Sequence, residues 1–256
     1  MLCKGANCHT ISRPNLHANS CSSISPTMPS TFWCIVEILR KPALVRYLNS
    51  EIARYYNPQS GTYNIEAISK EPIIESILAE IGRLRTATHT IRTAHSGNLK
   101  LDNSWTIPQG TSAIVFSQDL GLNFAEWYKA RQHTTTRPLE TFWAERFLIP
   151  DQQPSMRRNK RRGVEIATGP FSLEGLESLH IPFGGGPSSH PVRSFAKMIQ
   201  ASTIAILLTE FEMQLCDLDD VEEDLPTVRE VAYGTVKPLN KVQIRIRKRR
   251  PGERSN

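Results

Sequence analysis

No run in the 256-residue sequence approaches the ~18 to 20 uninterrupted apolar residues of a membrane span. Residues 1–20 carry Lys4, Arg13 and scattered polar side chains where a signal peptide would be apolar, so a soluble intracellular chain is expected. Cysteine is scarce: five residues, at positions 3, 8, 21, 34 and 216, are odd in number and crowded early, which argues against a disulfide framework and for a reducing compartment. Cys3, Cys8 and His9 match no defensible metal-site spacing and read as bystanders. No glycine-rich stretch ends in Gly-Lys-Ser/Thr, and none follows a strand with an acid some ~20 residues on, so phosphate-loop and dinucleotide readings fail.

Charge is present but uneven. Eleven basic residues lie in residues 157–162 (RRNKRR) and 241–250, while residues 217–224 hold six acids in eight. The first basic run lacks interleaved aromatics and any recognisable module, which excludes nucleic acid and leaves a solvated loop or a docking patch for an acidic protein or membrane surface.

Residues 1–29 show no sustained periodicity and are expected to be a poorly ordered lead-in, with structure starting near Ser30. Phe32, Ile35, Val36 and Leu39 share a helical face up to Pro42, which opens a second helix through Leu44, Tyr47, Leu48 and Ile52. After a loop (NPQSGTYN), Ile73, Ile74, Ile77, Leu78, Ile81 and Leu84 mark a third, with Glu71 and Glu75 early and Arg83 and Arg85 late, as the helix dipole prefers. The segments HTIRTA, LKLD and TIPQGTSAIVF predict a small sheet, and residues 120–162 an irregular stretch with one short helix at best. Residues 193–211 are apolar nearly all round and predict a helix buried on most sides; EMQLCD and KVQIRIRKR predict closing strands, the second a half-exposed edge.

Two groups suggest chemistry. Phe183 to His190 (FGGGPSSH) is either a tight structural turn or a loop that lets backbone approach a flat or charged ligand. Glu80 and Arg83, three apart, are either a solvated pair or part of a buried cluster, and the second requires another cation such as Arg146 in FWAERF.

Taken in order, E-x-x-R on a helix, a small sheet, E-R-F, and F-G-G-G followed by R-x-F-A-K resemble the C-terminal half of a cytochrome P-450, a haem-thiolate monooxygenase. The flavour is that of fungal relatives of the sterol 7-alpha-hydroxylase and prostacyclin-synthase group. The likeness spans Thr31 to Arg250 and implies a mainly α fold with small β-sheets, the truncated C-terminal part of a P-450 domain over residues 30–256. It implies haem b as cofactor, a lipophilic substrate oxidised with O2, and an NADPH-dependent reductase docking on a basic proximal face that includes Lys197 and RRNKRR. By the same resemblance Glu80, Arg83 and Arg146 form the structural triad behind the haem, Arg92 lies near a propionate, and Phe183 and Gly186 occupy haem-loop positions.

The axial ligand departs from the family. Counted as F-x-x-G-x-x-x-C, the cysteine position holds His190, and Val192 stands where the family has glycine. A thiolate favours O–O cleavage, whereas a neutral imidazole gives globin- or peroxidase-type ligation. His190 is therefore either an altered iron ligand or a residue left by loss of the cysteine, and monooxygenase activity is expected to be impaired or absent. Ala144 replaces the proline of P-E-R-F, and ISPTMP, with Ser25 and Thr27, lacks the acid of the family's oxygen-activating pair. The alternative is a non-catalytic protein, or a fragment of a misread gene, that docks a redox partner or paralogue.

Overall fold

The computed structural model describes residues 27–101, 104–150, 166–184, 193–216, 234–235 and 241–250. Four helices build the centre: α1 (Thr27–Leu39), α2 (Pro42–Ala53), α4 (Pro72–Arg85) and α7 (Arg193–Glu210), with short α3 (Ile65–Ser69), α5 (Ser117–Gly121) and α6 (Phe124–Ala130) at their edges. Pro42 and Pro72 start α2 and α4, where a missing N–H costs nothing, and Glu75 and Arg83 with Arg85 sit at the dipole-favoured ends of α4. Helix α1 packs on α2, α4 and α7. Trp33, Val36, Ile38, Leu48, Ile74, Ile77, Ile81 and Ile204 fill the space between them at essentially zero exposure. Gln200 of α7 adds a polar tie, its Nε2 donating to Ser30 Oγ of α1 at 2.8 Å.

The strands are short and antiparallel; β3 (Thr86–Ala87) follows α4 directly and pairs with β9 (Gly234–Thr235). Strands β4 (His89–Thr93) and β7 (Ser112–Phe116) pair with Ile91 opposite Ile114, while β5 (Leu99–Lys100) and β6 (Thr106–Ile107) form a separate ladder. The small sheet predicted there is thus two hairpin ladders. Strands β8 (Phe211–Leu215) and β10 (Ile244–Lys248) close the fold, with Ile244 against the core and Ile246 exposed, the half-exposed edge expected from its alternation.

Several expectations change. Helix α1 begins at Thr27, three residues before the predicted start, and residues 1–26 lie outside the described residues. The loop NPQSGTYN contains a hairpin of β1 (Tyr56–Asn57) and β2 (Thr62–Tyr63), and α3 follows it. The stretch expected to hold one short helix at best contains α6 and a 3-10 turn (Gln132–Thr135), with α5 ending inside it. Helices α3 and α6 are held by asparagine caps: Asn64 Oδ1 accepts from Ala67 N at 3.1 Å and Asn123 Oδ1 from Glu126 N at 3.3 Å.

Helix α7 corrects the largest expectation. It buries one stripe, Ala196, Gln200, Ala201, Ile204, Ala205, Leu208 and Thr209, and leaves Phe195, Met198 and Ile206 exposed. Small residues let that stripe approach α1 and α3 closely, but no described residue covers the opposite apolar face.

Candidate functional site

The sequence places Glu80 and Arg83 one turn apart on α4, and the fold brings Arg146 to them from 66 residues away. Arg83 grips the carboxylate with two prongs, Nε to Oε2 and Nη2 to Oε1, both at 2.8 Å. Arg146 Nε reaches Oε1 at 2.9 Å, and the Trp143 N–H donates to the same oxygen at 3.1 Å. All three side chains have no exposed surface. Burial pushes the Glu80 carboxyl upward, but the Arg83 and Arg146 guanidinium groups outweigh it and hold it below the usual carboxylate range.

Every remaining guanidinium nitrogen has an acceptor. Arg83 Nη1 donates to Gly121 O at 2.9 Å, and Arg146 Nη2 to Pro138 O and Thr141 O at 2.8 and 2.9 Å. Arg146 Nη1 donates to Arg137 O at 3.2 Å and also to Thr134 O. A buried guanidinium survives only when paired in this way. The result is a staple: Arg146 gathers the backbone of residues 134–141 while Glu80 ties that segment to α4. The stacked surroundings finish it, with Trp127 edge-on to Phe147 at 5.8 Å and the Arg83 guanidinium 5.5 Å from the Trp127 ring. A solvated i,i+3 pair is ruled out by this burial.

The glycine-rich loop is anchored on the back of the same helix. His180 Nε2 donates to Ala79 O at 2.9 Å, and Pro182 lies so close to Gly82 that a Cβ there would meet it at 3.2 Å. Gly184 adopts φ +75°, a conformation that favours glycine, and its N–H donates to Ile181 O at 3.0 Å. Phe183 is exposed at the start of this turn. Gly186, His190 and Val192 lie outside the described residues, as do residues 157–162.

Arg92 lies on β4, exposed, with Nη1 donating to the carbonyl of its neighbour Ile91 at 2.9 Å. The Glu80 cluster and the loop base meet on α4; the backbone before β4 touches the loop base where Thr88 Oγ1 donates to Ile181 O at 3.2 Å. Lys197, expected on a docking face, is part-exposed and pairs with Glu75 of α4. Of the two described cysteines, Cys34 is wholly buried in α1, where burial pushes its thiol far up, and Cys216 is exposed beyond β8.

A second buried cluster was missed in the sequence. Glu37 of α1, without exposed surface, accepts from Arg40 Nη1 and from Arg85 Nη2, each at 2.8 Å, and the Arg85 guanidinium stacks 4.6 Å from the Trp33 ring. The available signal was a single carboxylate inside the apolar run of α1.

Comparison with known proteins points to one family. The family model for cytochrome P450 matches residues 22–244. A cytochrome P450 monooxygenase of Humicola fuscoatra (fsoE) is 33% identical over 237 residues, covering 88% of this chain and 40% of that protein. The human 7-alpha-hydroxycholest-4-en-3-one 12-alpha-hydroxylase is 27% identical over 232 residues, covering 86% and 42%. The solved cytochrome P450DA heme domain superposes with a TM-score of 0.57 at 19% identity, covering 90% of this chain and 42% of its own. The chain thus spans about two fifths of the length of the relatives it matches. It has the C-terminal part of their fold, and it belongs to the cytochrome P450 family, whose members bind haem.

Proposed function

We propose that this chain is the core of a cytochrome P450 whose haem-thiolate oxygen chemistry has been lost. One feature of the sequence supports the reading: counted as F-x-x-G-x-x-x-C from Phe183, His190 falls where the resemblance implies a cysteine thiolate. Within the described residues no other cysteine is suited to the role, since Cys34 is sealed in the core as a neutral thiol and Cys216 lies beyond β8. The donor set among the described residues therefore does not fit a thiolate-bound haem. What the chain retains is the frame, the Glu80 staple and the loop base on α4. Its forebears' substrate class is lipophilic, of the sterol or secondary-metabolite kind, because the human relative is a hydroxylase of a cholest-4-en-3-one.

The test is expression with supplied haemin, side by side with His190→Cys, measuring haem per protein and the reduced carbon-monoxide difference spectrum. The expected result is no thiolate-type spectrum from the natural chain. A thiolate-type spectrum there, with turnover of a sterol, overturns the reading. A gain of that spectrum in His190→Cys locates the loss at one residue.

A second reading, a non-catalytic partner for an acidic redox protein such as an NADPH-dependent reductase, is favoured by β10 and its flanks. Lys241, Arg245 and Lys248 are exposed there, although Arg247 pairs with Glu212. Binding that persists unchanged at high salt would speak against it.

A further inference from the structure

The glycine-rich loop rises from a base, residues 180–184, that rests on α4. His180 Nε2 donates to Ala79 O at 2.9 Å, and the Pro182 ring lies so close to Gly82 that an added Cβ would meet it at 3.2 Å. The Phe147 ring packs edge-to-face against the imidazole, with centroids 5.0 Å apart. Thr88 Oγ1 completes the seat by donating to Ile181 O at 3.2 Å. The arrangement suits a neutral ring. With Nε2 donating, the uncharged imidazole carries its lone pair on Nδ1, and Nδ1 has no hydrogen bond among the described residues. A second proton there finds no acceptor, and Arg83 of α4 and Arg193 of α7 face the ring with like charge. The carboxylate that faces it, Glu80, already accepts from Arg83, Arg146 and the Trp143 N–H. Burial acts in the same direction, so the seated ring stays neutral down to about 4.

The helical core has other ties. Helix α4 is held by the Glu80 and Glu37 clusters and by Ile74, Ile77 and Ile81, and neither ion cluster includes a residue of the loop base. We propose that His180 is a proton-operated latch: a second proton on its ring lifts residues 180–184 off α4 while the helices stay folded. Lifting carries the imidazolium into water, where it needs no protein acceptor, and leaves Ala79 O to be hydrated. The seated ring refuses a proton that the released ring accepts, so acid shifts the balance toward the open loop base. With the seated ring titrating near about 4 and the released ring near ~6.5, the open fraction grows close to tenfold per pH unit as pH falls between those values, then levels off. The inference is independent of iron ligation.

The experiment is amide hydrogen exchange on the full 256-residue chain without haemin, from about pH 7 to about pH 3.5, corrected for the intrinsic pH dependence of exchange. Two amides report on the loop base: Gly184 N–H, which donates to Ile181 O at 3.0 Å, and His180 N–H, which donates to Leu176 O at 2.8 Å. They are read against Ile77 and Ile81 of α4, with and without low urea. Opening at Gly184 and His180 is expected to rise close to tenfold per pH unit below ~6.5, to ignore low urea, and to exceed opening at Ile77 and Ile81 throughout. In His180→Gln, whose side-chain amide keeps a donor for Ala79 O but does not titrate, the rise disappears. The proposal is overturned if all four amides open with one urea-dependent free energy, since the loop base then leaves only when the whole chain unfolds, or if His180→Gln keeps the rise. Should that variant fail to fold, nuclear magnetic resonance titration of the natural chain decides. A ring neutral well below ~6.5, with the Phe147 ring signals shifting as it protonates, supports the latch, and an unshifted titration overturns it.

Discussion

Arg85 of α4 and Glu37 of α1, 48 residues apart in sequence, meet in the core with Nη2 and Oε1 2.8 Å apart and the guanidinium lying on Trp33. The pair joins the two helices where neither touches solvent. Removing one partner leaves a buried charge uncompensated, while removing both does not.

Glu37→Ala is therefore expected to cost about 3–5 kcal/mol of unfolding free energy, and the double change Glu37→Leu with Arg85→Met about 1 kcal/mol or less. Urea unfolding of the two single variants and the double variant checks the sign of the coupling.

Arg146→Lys is expected to destabilise by about 3–5 kcal/mol although charge is kept. An ammonium has three donors on one atom and cannot serve Glu80, Pro138, Thr141 and Arg137 together. Loss of near-ultraviolet circular dichroism from Trp127 and Trp143 at a lower denaturant midpoint would report it; an unchanged midpoint would refute the staple.

His180 is held neutral, its pKa lowered from the usual value to about 4, mainly by burial and despite its bond to Ala79 O. The unfolded chain takes up a proton near pH 6.5 that the folded chain refuses. Stability is thus full above that pH and falls as pH drops toward 4, by about 1–3 kcal/mol once the part of the ring near solvent is discounted. Thermal melts of the natural chain and His180→Gln between pH 7 and pH 4 should converge in slope only if His180 is not the cause.

Gly169→Ala would place a Cβ 2.0 Å from Ile149 O, a contact that backbone must yield to. The Ile149 N to Pro170 O bond at 2.9 Å lies beside it. A loss of about 1–3 kcal/mol is expected, seen as a lower melting temperature and faster amide exchange at Ile149.

The order of the helices and the Glu80 cluster were legible because local rules produced them: apolar spacing, prolines at helix starts, and an i,i+3 pair inside an isoleucine-rich run. Arg146 was legible through the family's motif order. Glu37 and Arg85 were not, since nothing near either residue in sequence encodes a partner 48 positions away. The covered stripe of α7 was equally hidden: a helix apolar on every side does not state which side the fold will use, and Phe195, Met198 and Ile206 went to the open one. The short α6 did leave a sign, Asn123 followed by Glu126, the kind of cap pattern that fixes a single turn or two.

Both ion clusters hang on α4, and this constrains how the sequence can drift. Each of Glu37, Glu80, Arg83, Arg85 and Arg146 has a buried ionic partner, which is expected to become a liability when one changes alone, whereas paired replacement by apolar residues is expected to be tolerated. Neutral change on this helix is therefore epistatic: the inherited route runs through simultaneous or compensated steps.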